Sequence, residues 1–499
     1  MKTEEIGSKI ASGAAWMALF KLVERSLGLI SVVILARLLT PEDFGVVAMA
    51  MALIAMLDLL GAFSFDIALI QNQKASRHHF DTAWTFNVVI GLVIAALLLA
   101  LAGPAAGFYR EDRLTDVIMF LAIGSLLQGL ENIGVVEFRK QLHFRKEFIF
   151  LFTKKLVGFC VTVPLAVAWE NYWALVVGQV SSKVAGVVLS YGLHSFRPRL
   201  SISAGKELFG FSGWLMANNL LFYLKNRSVE LIIGRMLGPR SLGLFSIAYE
   251  ISNLPTTELI GPMNRAIFPG YAKLTEDKAR LRSGFLNIIG LIAVVALPVG
   301  AGVAVMSEYV VQLLLGDQWL DAIPLVSVLA IFGTLGALQS NTTYIFLALG
   351  KPQIETYLGV AYVIILLTLL AVLIPNYKTF GVALAYLTTV VLMMPPTLLL
   401  IRAQLGLEWG MIAGAFWRPL VATTGMYFGV DQWLNYLKVN WQDAGILVEL
   451  ASGIVLGATL YLGLMLIFWL LVGKPESSAE KTIIRFLKNR LSRRASDAE

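Results

Sequence analysis

The chain has 499 residues and a single cysteine, Cys160, so it can close no internal disulfide and nothing in it relies on an oxidising compartment. Charge is scarce as well. Asp, Glu, Lys and Arg together make up 15% of the residues, against roughly 25% in a soluble domain. That deficit leaves too few polar side chains to coat a water-facing surface. The four histidines, His78, His79, His143 and His194, show no metal-ligand spacing, and no P-loop or dinucleotide fingerprint stands at a strand-to-helix junction. No cofactor or metal is expected. The first residues, Met1 to Ala11, include Glu4 and Glu5 and lack a small-residue cleavage site. The first helix is therefore expected to act as its own insertion signal.

What the chain has in abundance is hydrocarbon: 57% of residues are hydrophobic and the mean hydropathy is +0.74. A bilayer core needs about 20 mainly apolar residues per helix, and fourteen such stretches follow one another from Gly13–Leu38 to Gly445–Val472. The expected fold is an all-α integral membrane protein of about 14 transmembrane helices. Positive charge orients it. With the N-terminus inside, twenty-four Lys and Arg fall in inner segments and the tail, and the outer loops hold only Arg110, Arg113, Arg240, Lys378 and Lys438. The excess of inside cations predicts both termini in the cytoplasm and accounts for the net charge of +7 without nucleic acid. The longest outer loops, near Glu308–Asp321 and Asp431–Ala444, leave little room for an extracytoplasmic catalytic domain.

The sequence also repeats itself. Ala36-Arg37-Leu38-Leu39-Thr40-Pro41-Glu42-Asp43-Phe44-Gly45 returns 198 residues later as Gly234-Arg235-Met236-Leu237-Gly238-Pro239-Arg240-Ser241-Leu242-Gly243, and Trp16 meets Trp214 at the same offset. A weaker echo joins Gln128 and Lys140 to Gln339 and Lys351. Both copies of the motif lie between a first and a second helix. The repeat predicts two parallel six-helix lobes, 1–193 and 211–402, around a central cavity. A cytoplasmic linker spans 194–210, two added helices span 403–472 and a basic cytoplasmic tail covers 473–499. In that tail Ile483, Ile484, Leu487 and Leu491 share a helical face, which fits an interfacial amphipathic helix or a disordered basic tail equally.

Charges inside apolar segments mark candidate sites, because each costs about 2.5–3.5 kcal/mol at a helix centre. The first helix carries Lys21, Glu24 and Arg25 on one face, and the seventh carries Arg227 and Glu230 on a polar stripe with Tyr223. Lys21, Arg25 and Arg227 are the leading cavity cations, followed by Lys225, Lys154 and Arg265. The acids that would couple or pair are Glu24, Asp58, Asp66 and Glu230. Lys155, Lys183, Arg418, Glu250 and Glu258 are further intramembrane charges. Lys154, Lys155, Arg265 and Arg418 stand close enough to helix ends to snorkel, and the alternative to the favoured cavity role for Lys21 and Arg25 is a structural ion-pair cluster with Glu24.

Residues Gly13 to Ala50, with Trp16 and the Arg-x-Leu-x-Pro-x-x-x-Gly motif at 37–45, resemble the start of Wzx-type bacterial polysaccharide transporters. These belong to the multidrug/oligosaccharidyl-lipid/polysaccharide superfamily. The resemblance extends over the chain in helix number, lobe division and loop charge. It implies an inner-membrane flippase that moves an undecaprenyl-pyrophosphate-linked sugar unit from the inner to the outer leaflet for O-antigen, capsule or exopolysaccharide assembly. The implied partners are the lipid-linked oligosaccharide, membrane lipids, and polysaccharide polymerase and export proteins. A cation-coupled multidrug-type antiporter would share the fold, but it would need acidic cavities. A membrane sugar polymerase or ligase would need a large outer loop.

Overall fold

A computed structural model describes residues 3–61, 65–72, 74–208, 223, 227–441 and 445–473. All regular structure among them is helical. A chain in hydrocarbon must satisfy its backbone hydrogen bonds within each spanning segment, and a helix does this alone.

Helix α1 (Thr3–Leu38) leads into α2 (Pro41–Asp58), a 3-10 turn (Leu59–Gly61) and α3 (Phe65–Gln71). Next come α4 (Arg77–Tyr109), α5 (Arg113–Leu130), the short α6 (Val136–Lys140), α7 (Phe144–Trp169) and α8 (Trp173–Leu193). After the segment 194–208 and the undescribed start of the seventh span, α9 runs Ser228–Lys273 through a break at Gly238. The remaining helices are α10 (Lys278–Val305), α11 (Ser307–Leu314), α12 (Ile323–Ala348), α13 (Pro352–Leu405, broken at Lys378), α14 (Trp409–Asn440) and α15 (Ile446–Leu471). Of the candidate sites, Lys225 and the Arg265 side chain lie outside the described residues, as does the tail from 474.

Hydropathy and exposure agree on a membrane setting. Nine of the described helices are long and apolar enough to cross a bilayer. On α15, Leu447, Val455, Leu462, Leu466 and Leu471 are all more than half exposed, an apolar surface that water would not tolerate but lipid does.

The chain divides into two compact units, Met1–Leu244 and Phe245–Glu499. In the first, α4 packs on α5, α7 on α8 and α1, and α5 on α8 and α2. Small residues allow the close approaches: a Cβ added to Gly129 would stand 2.6 Å from the Asn87 carbonyl oxygen, and one on Gly158 would stand 3.2 Å from Ser182 Cβ. In the second unit α10, α12 and α13 surround a core that includes Phe285, Ile289, Phe346 and Ile401, and α14 packs on α15 around Met426, Val430 and Tyr461.

The start of α2 shows how local sequence sets a helix end. Thr40 is the N-cap and Pro41 opens the helix, where its missing N–H costs nothing. The Thr40 N–H donates to Asp43 Oδ2 at 2.9 Å and the Asp43 N–H donates back to Thr40 Oγ1 at 3.3 Å, a capping box. The same carboxylate accepts the Tyr172 N–H at 3.2 Å, which ties the start of α8 to the start of α2.

Candidate functional site

The two motif copies meet. A Cβ placed on Gly45 would overlap the Pro239 carbonyl, and one placed on Gly243 would overlap the Pro41 carbonyl. The contact is reciprocal: the glycine of each copy receives the proline carbonyl of the other. Gly238, at the position of Thr40, has φ 82°, so glycine is needed there to break the chain before Pro239. Arg235 lies over the Phe108 ring at 5.5 Å, and Gly234 leaves room for Tyr109.

The opposite end of the first unit is basic and tightly bonded. Arg139 pairs with Glu147 at 2.6 Å and with Asp66 at 3.4 Å, while Lys140 donates to the Asn72 carbonyl at 2.7 Å. The segment 194–208 is strapped onto this end. The Arg199 N–H donates to Asp81 Oδ1 at 2.8 Å, the Ser201 N–H to Thr85 Oγ1 at 2.9 Å and the Asn132 amide to the Phe196 carbonyl at 2.7 Å. Asp81, Thr85 and Asn132 are buried, and extended backbone satisfies them.

Between these ends lie the charges. Lys21 Nζ pairs with Glu24 Oε2 at 2.8 Å, three residues on, and Lys21 remains 54% exposed. Arg227 pairs with Glu230 at 2.7 Å in the same i,i+3 relation, and the arginine is 52% exposed. Arg25 is also exposed. Each stripe thus pairs its acid with a cation of the same stretch, and that cation stays about half exposed. Tyr223, on the seventh span, is buried and donates to the Ala52 carbonyl at 3.3 Å.

Lys154 does not snorkel. It reaches Glu131 at the C-cap of α5, 2.6 Å away. Both groups flank Gly186, and Ser182 donates to the Lys154 carbonyl at 3.0 Å. Next to this pair, Lys183 donates to Gln128 Oε1. Arg418 is buried on α14 at 7% exposure, so it does not extend to a surface. Sequence reasoning left out Gln128 and Glu131 as site residues. The sequence signal for Gln128 was its echo at Gln339, and for Glu131 its charge within the apolar stretch 114–136.

The second unit contributes a different feature. An apolar cavity of about 260 Å³ lies among α10, α12, α13 and α14, walled by Leu297, Leu338, Met394, Leu398, Phe416 and neighbours, with Gln339 at its border. The Gln339 amide donates to the Val390 carbonyl at 3.1 Å. Phe245, Tyr249, Phe332 and Tyr386 form a cluster with ring centroids 5.1–6.1 Å apart.

Spanning helices, internal charges and a duplicated motif define a multi-span membrane transporter. Lipid II flippase MurJ in an inward closed conformation has the same fold, with a TM-score of 0.74 over 91% of this chain and 99% of that one at 11% identity. Residues 34–324 match the family of polysaccharide biosynthesis proteins, and the chain belongs to that family. Among its relatives are the lipopolysaccharide biosynthesis protein WzxC of Escherichia coli (strain K12) and the succinoglycan biosynthesis transport protein ExoT of Rhizobium meliloti (strain 1021). WzxC is 26% identical over 353 residues, covering 70% of this chain and 71% of WzxC. ExoT is 25% identical over 341 residues, covering 67% and 68%. The match begins within α1 and takes in both copies of the motif.

Proposed function

We propose that the protein is a flippase that carries an undecaprenyl-pyrophosphate-linked sugar unit from the inner to the outer leaflet of a bacterial inner membrane, for exopolysaccharide, capsule or O-antigen assembly. The observation that carries this reading is membership of a polysaccharide biosynthesis family by a chain of spanning helices with exposed cations inside its spans. A pyrophosphate cannot cross hydrocarbon bare, since an isolated ion in a low dielectric costs tens of kcal/mol. Lys21, Arg25 and Arg227 replace water around the phosphates, and Lys225 and Arg265 extend the set. Lys154, committed to Glu131, supports the frame. The apolar cavity among α10 to α14 suits hydrocarbon and would accept part of the polyprenyl chain.

In this reading the protein is a transporter without catalytic residues or cofactor. It is organised as lobes 1–193 and 211–402, linker 194–210, helices 403–472 and tail 473–499. The basic end faces the cytoplasm, as do both termini, and the motif end faces outward. Polysaccharide polymerase and export proteins take over its product. Reporter fusions after Lys146 and at the C-terminus should both read inside; an outside reading at either would overturn this topology.

Deletion of the gene tests the function. Surface or secreted polysaccharide should disappear while lipid-linked intermediates still form. A deletion that changes drug sensitivity alone would instead make the protein an antiporter. For the cations, Arg25→Ala should abolish export at normal membrane abundance, and Arg25→Lys should retain part of it. Loss of abundance in Arg25→Ala, restored together with export by adding Glu24→Gln, would make the charge structural.

A further inference from the structure

The segment 194–208 carries two side chains at odds with their setting. Leu200 is 76% exposed and Ile202 is 74% exposed, although neither belongs to a spanning helix. Two residues apart on extended backbone, they share one side of the chain. A single exposed apolar residue needs no explanation, but these two stand together on a segment that is tied down on its other side. Phe196 packs on Phe80 with ring centroids 5.8 Å apart, and Ala204 is buried.

The bonds to α4 fix the level of these side chains. Asp81 and Thr85 hold the Arg199 and Ser201 N–H groups, and the Ala204 N–H donates to Thr82 Oγ1 at 3.3 Å. The face of α4 that carries Thr85 continues, within about 40° on the helical wheel, as Val89, Leu92, Ala96 and Leu99, and all four are exposed. An apolar column exposed along a spanning helix faces lipid. The segment therefore covers the first part of the lipid-facing side of α4. Ser201, between Leu200 and Ile202, is level with Thr85, and Val89 follows four residues on, about 6 Å along the axis. The headgroup layer beside the hydrocarbon is about 5–8 Å thick, so Leu200 and Ile202 stand at its depth. A protein partner would have to reach past the headgroups to cover them. The charges agree. Arg199 and Lys206 are exposed on the same segment. Arg197 donates to the Tyr191, His194 and Phe196 carbonyls. Of the neighbouring acids, Asp81 is buried under the segment and Glu207 meets His79 at 2.9 Å.

We propose that this segment is a membrane-surface anchor: Leu200 and Ile202 enter the acyl boundary of the leaflet at the basic end, and Arg199 and Lys206 meet the phosphates of anionic lipids. Apolar side chains flanked by exposed cations are the chemistry of that surface. The assignment needs only a chain that spans a bilayer and goes beyond the flippase reading without depending on it. It also gives α4 a fixed depth. That helix has 33 residues, about 50 Å at 1.5 Å per residue, against roughly 30 Å of hydrocarbon. Its length alone leaves its position along the bilayer normal loosely set. A segment bonded to Asp81, Thr82 and Thr85 and held in the headgroups sets it.

The single cysteine makes the test direct. Full-length protein carrying Cys160→Ser and either Leu200→Cys or Ile202→Cys is labelled with a nitroxide and reconstituted into vesicles of phosphatidylethanolamine and phosphatidylglycerol. Glu276→Cys, exposed in the turn between α9 and α10, is the water-facing reference. Collisions with oxygen relative to a water-soluble nickel chelate report depth. The ratio at 200 and 202 should exceed that at 276 by about threefold or more, as for a side chain several ångström into the acyl boundary. Replacing phosphatidylglycerol with phosphatidylcholine, or adding Arg199→Gln with Lys206→Gln, should each lower it by about half, because the cations lose their anionic partners. All four side chains are exposed, so these variants should fold. Labels at 200 and 202 as open to the chelate as the label at 276 overturn the anchor. If those labels are open in vesicles but shielded in native membranes, a protein covers the surface and the lipid assignment falls. A depth indifferent to both charge changes overturns the role of Arg199 and Lys206.

Discussion

The two units place opposite chemistry around the two echoed glutamines. In the first unit Gln128 accepts from the Lys183 ammonium, beside the Lys154–Glu131 pair. In the second, its echo Gln339 spends its amide on the Val390 carbonyl and borders an apolar cavity. Among the bonds described in its interior are neutral ones, Tyr271 to Asn341 at 2.9 Å and Ser252 to the Val326 carbonyl at 3.1 Å, and Arg418 is buried there. The described ion pairs of the second unit, Arg280–Asp277 and Lys438–Glu308, join groups near helix ends. Among the described residues, the first unit thus holds a cross-helix ion pair in its interior and the second an apolar cavity. Neutral bonds hold a packed state, whereas opposed charges in low dielectric can be rearranged by one ion.

The strongest test of the shared plan is the motif itself. Gly45→Val and Gly243→Val should each cut polysaccharide export by more than tenfold and to a similar extent, because each overlaps the other copy's proline carbonyl. Gly103→Ala on α4 meets nothing within 4 Å and should leave export unchanged. Export assayed at matched membrane abundance decides, and unequal effects of the two valines would break the symmetry. The next test addresses the charges. Lys154→Ala strands Glu131 and should cost up to about 3 kcal/mol, the low end for breaking a buried pair, with Glu131→Gln in the same chain restoring most of it. Thermal unfolding in detergent measures both. At the echoed position Gln339→Leu should cost only about 1 kcal/mol, the worth of one neutral hydrogen bond. An equal cost at the two sites would erase the contrast between units.

The smallest effect lies in the loop between α4 and α5. Arg113 beside Glu111, 2.6 Å away, holds that carboxyl below its ordinary range. The pair therefore contributes above the free glutamate value of about 4.3 and is lost as pH falls through the lower folded value. Glu111→Gln should lower stability by about 0.5 kcal/mol at neutral pH, and the difference should vanish in acid. Melting curves across that range will show whether this pair is as marginal as its exposure implies.

The fold was legible wherever one-dimensional quantities decide it. The stretch Gly445–Val472, read from hydropathy, returns as α15, and Gly13–Leu38 ends where α1 ends. The motif pairing at an offset of 198 residues returns as a physical contact. Lys21, Glu24, Arg227 and Glu230 were readable as stripes, because i,i+3 neighbours on a helix meet whatever surrounds them. Lys154 was legible as a cavity or a snorkelling cation but not as half of an ion pair, because its partner, Glu131, lies on another helix. Lys183 was visible as a charge, but its partner Gln128 on another helix was not.

The sequence by itself determined the membrane class, the order of the spans, the duplication and the family, because hydrophobic length and backbone hydrogen bonding oblige each apolar stretch to become a helix. Only the tertiary structure decided which cation faces which acid. Lys183 and Gln128 are 55 residues apart in the chain, and Lys154 and Glu131 are 23 apart. Whether they meet depends on the rotation of each helix about its axis. That rotation is set where small residues such as Gly129, Gly158 and Gly178 let neighbours approach, a three-dimensional fit that no spacing along one chain records.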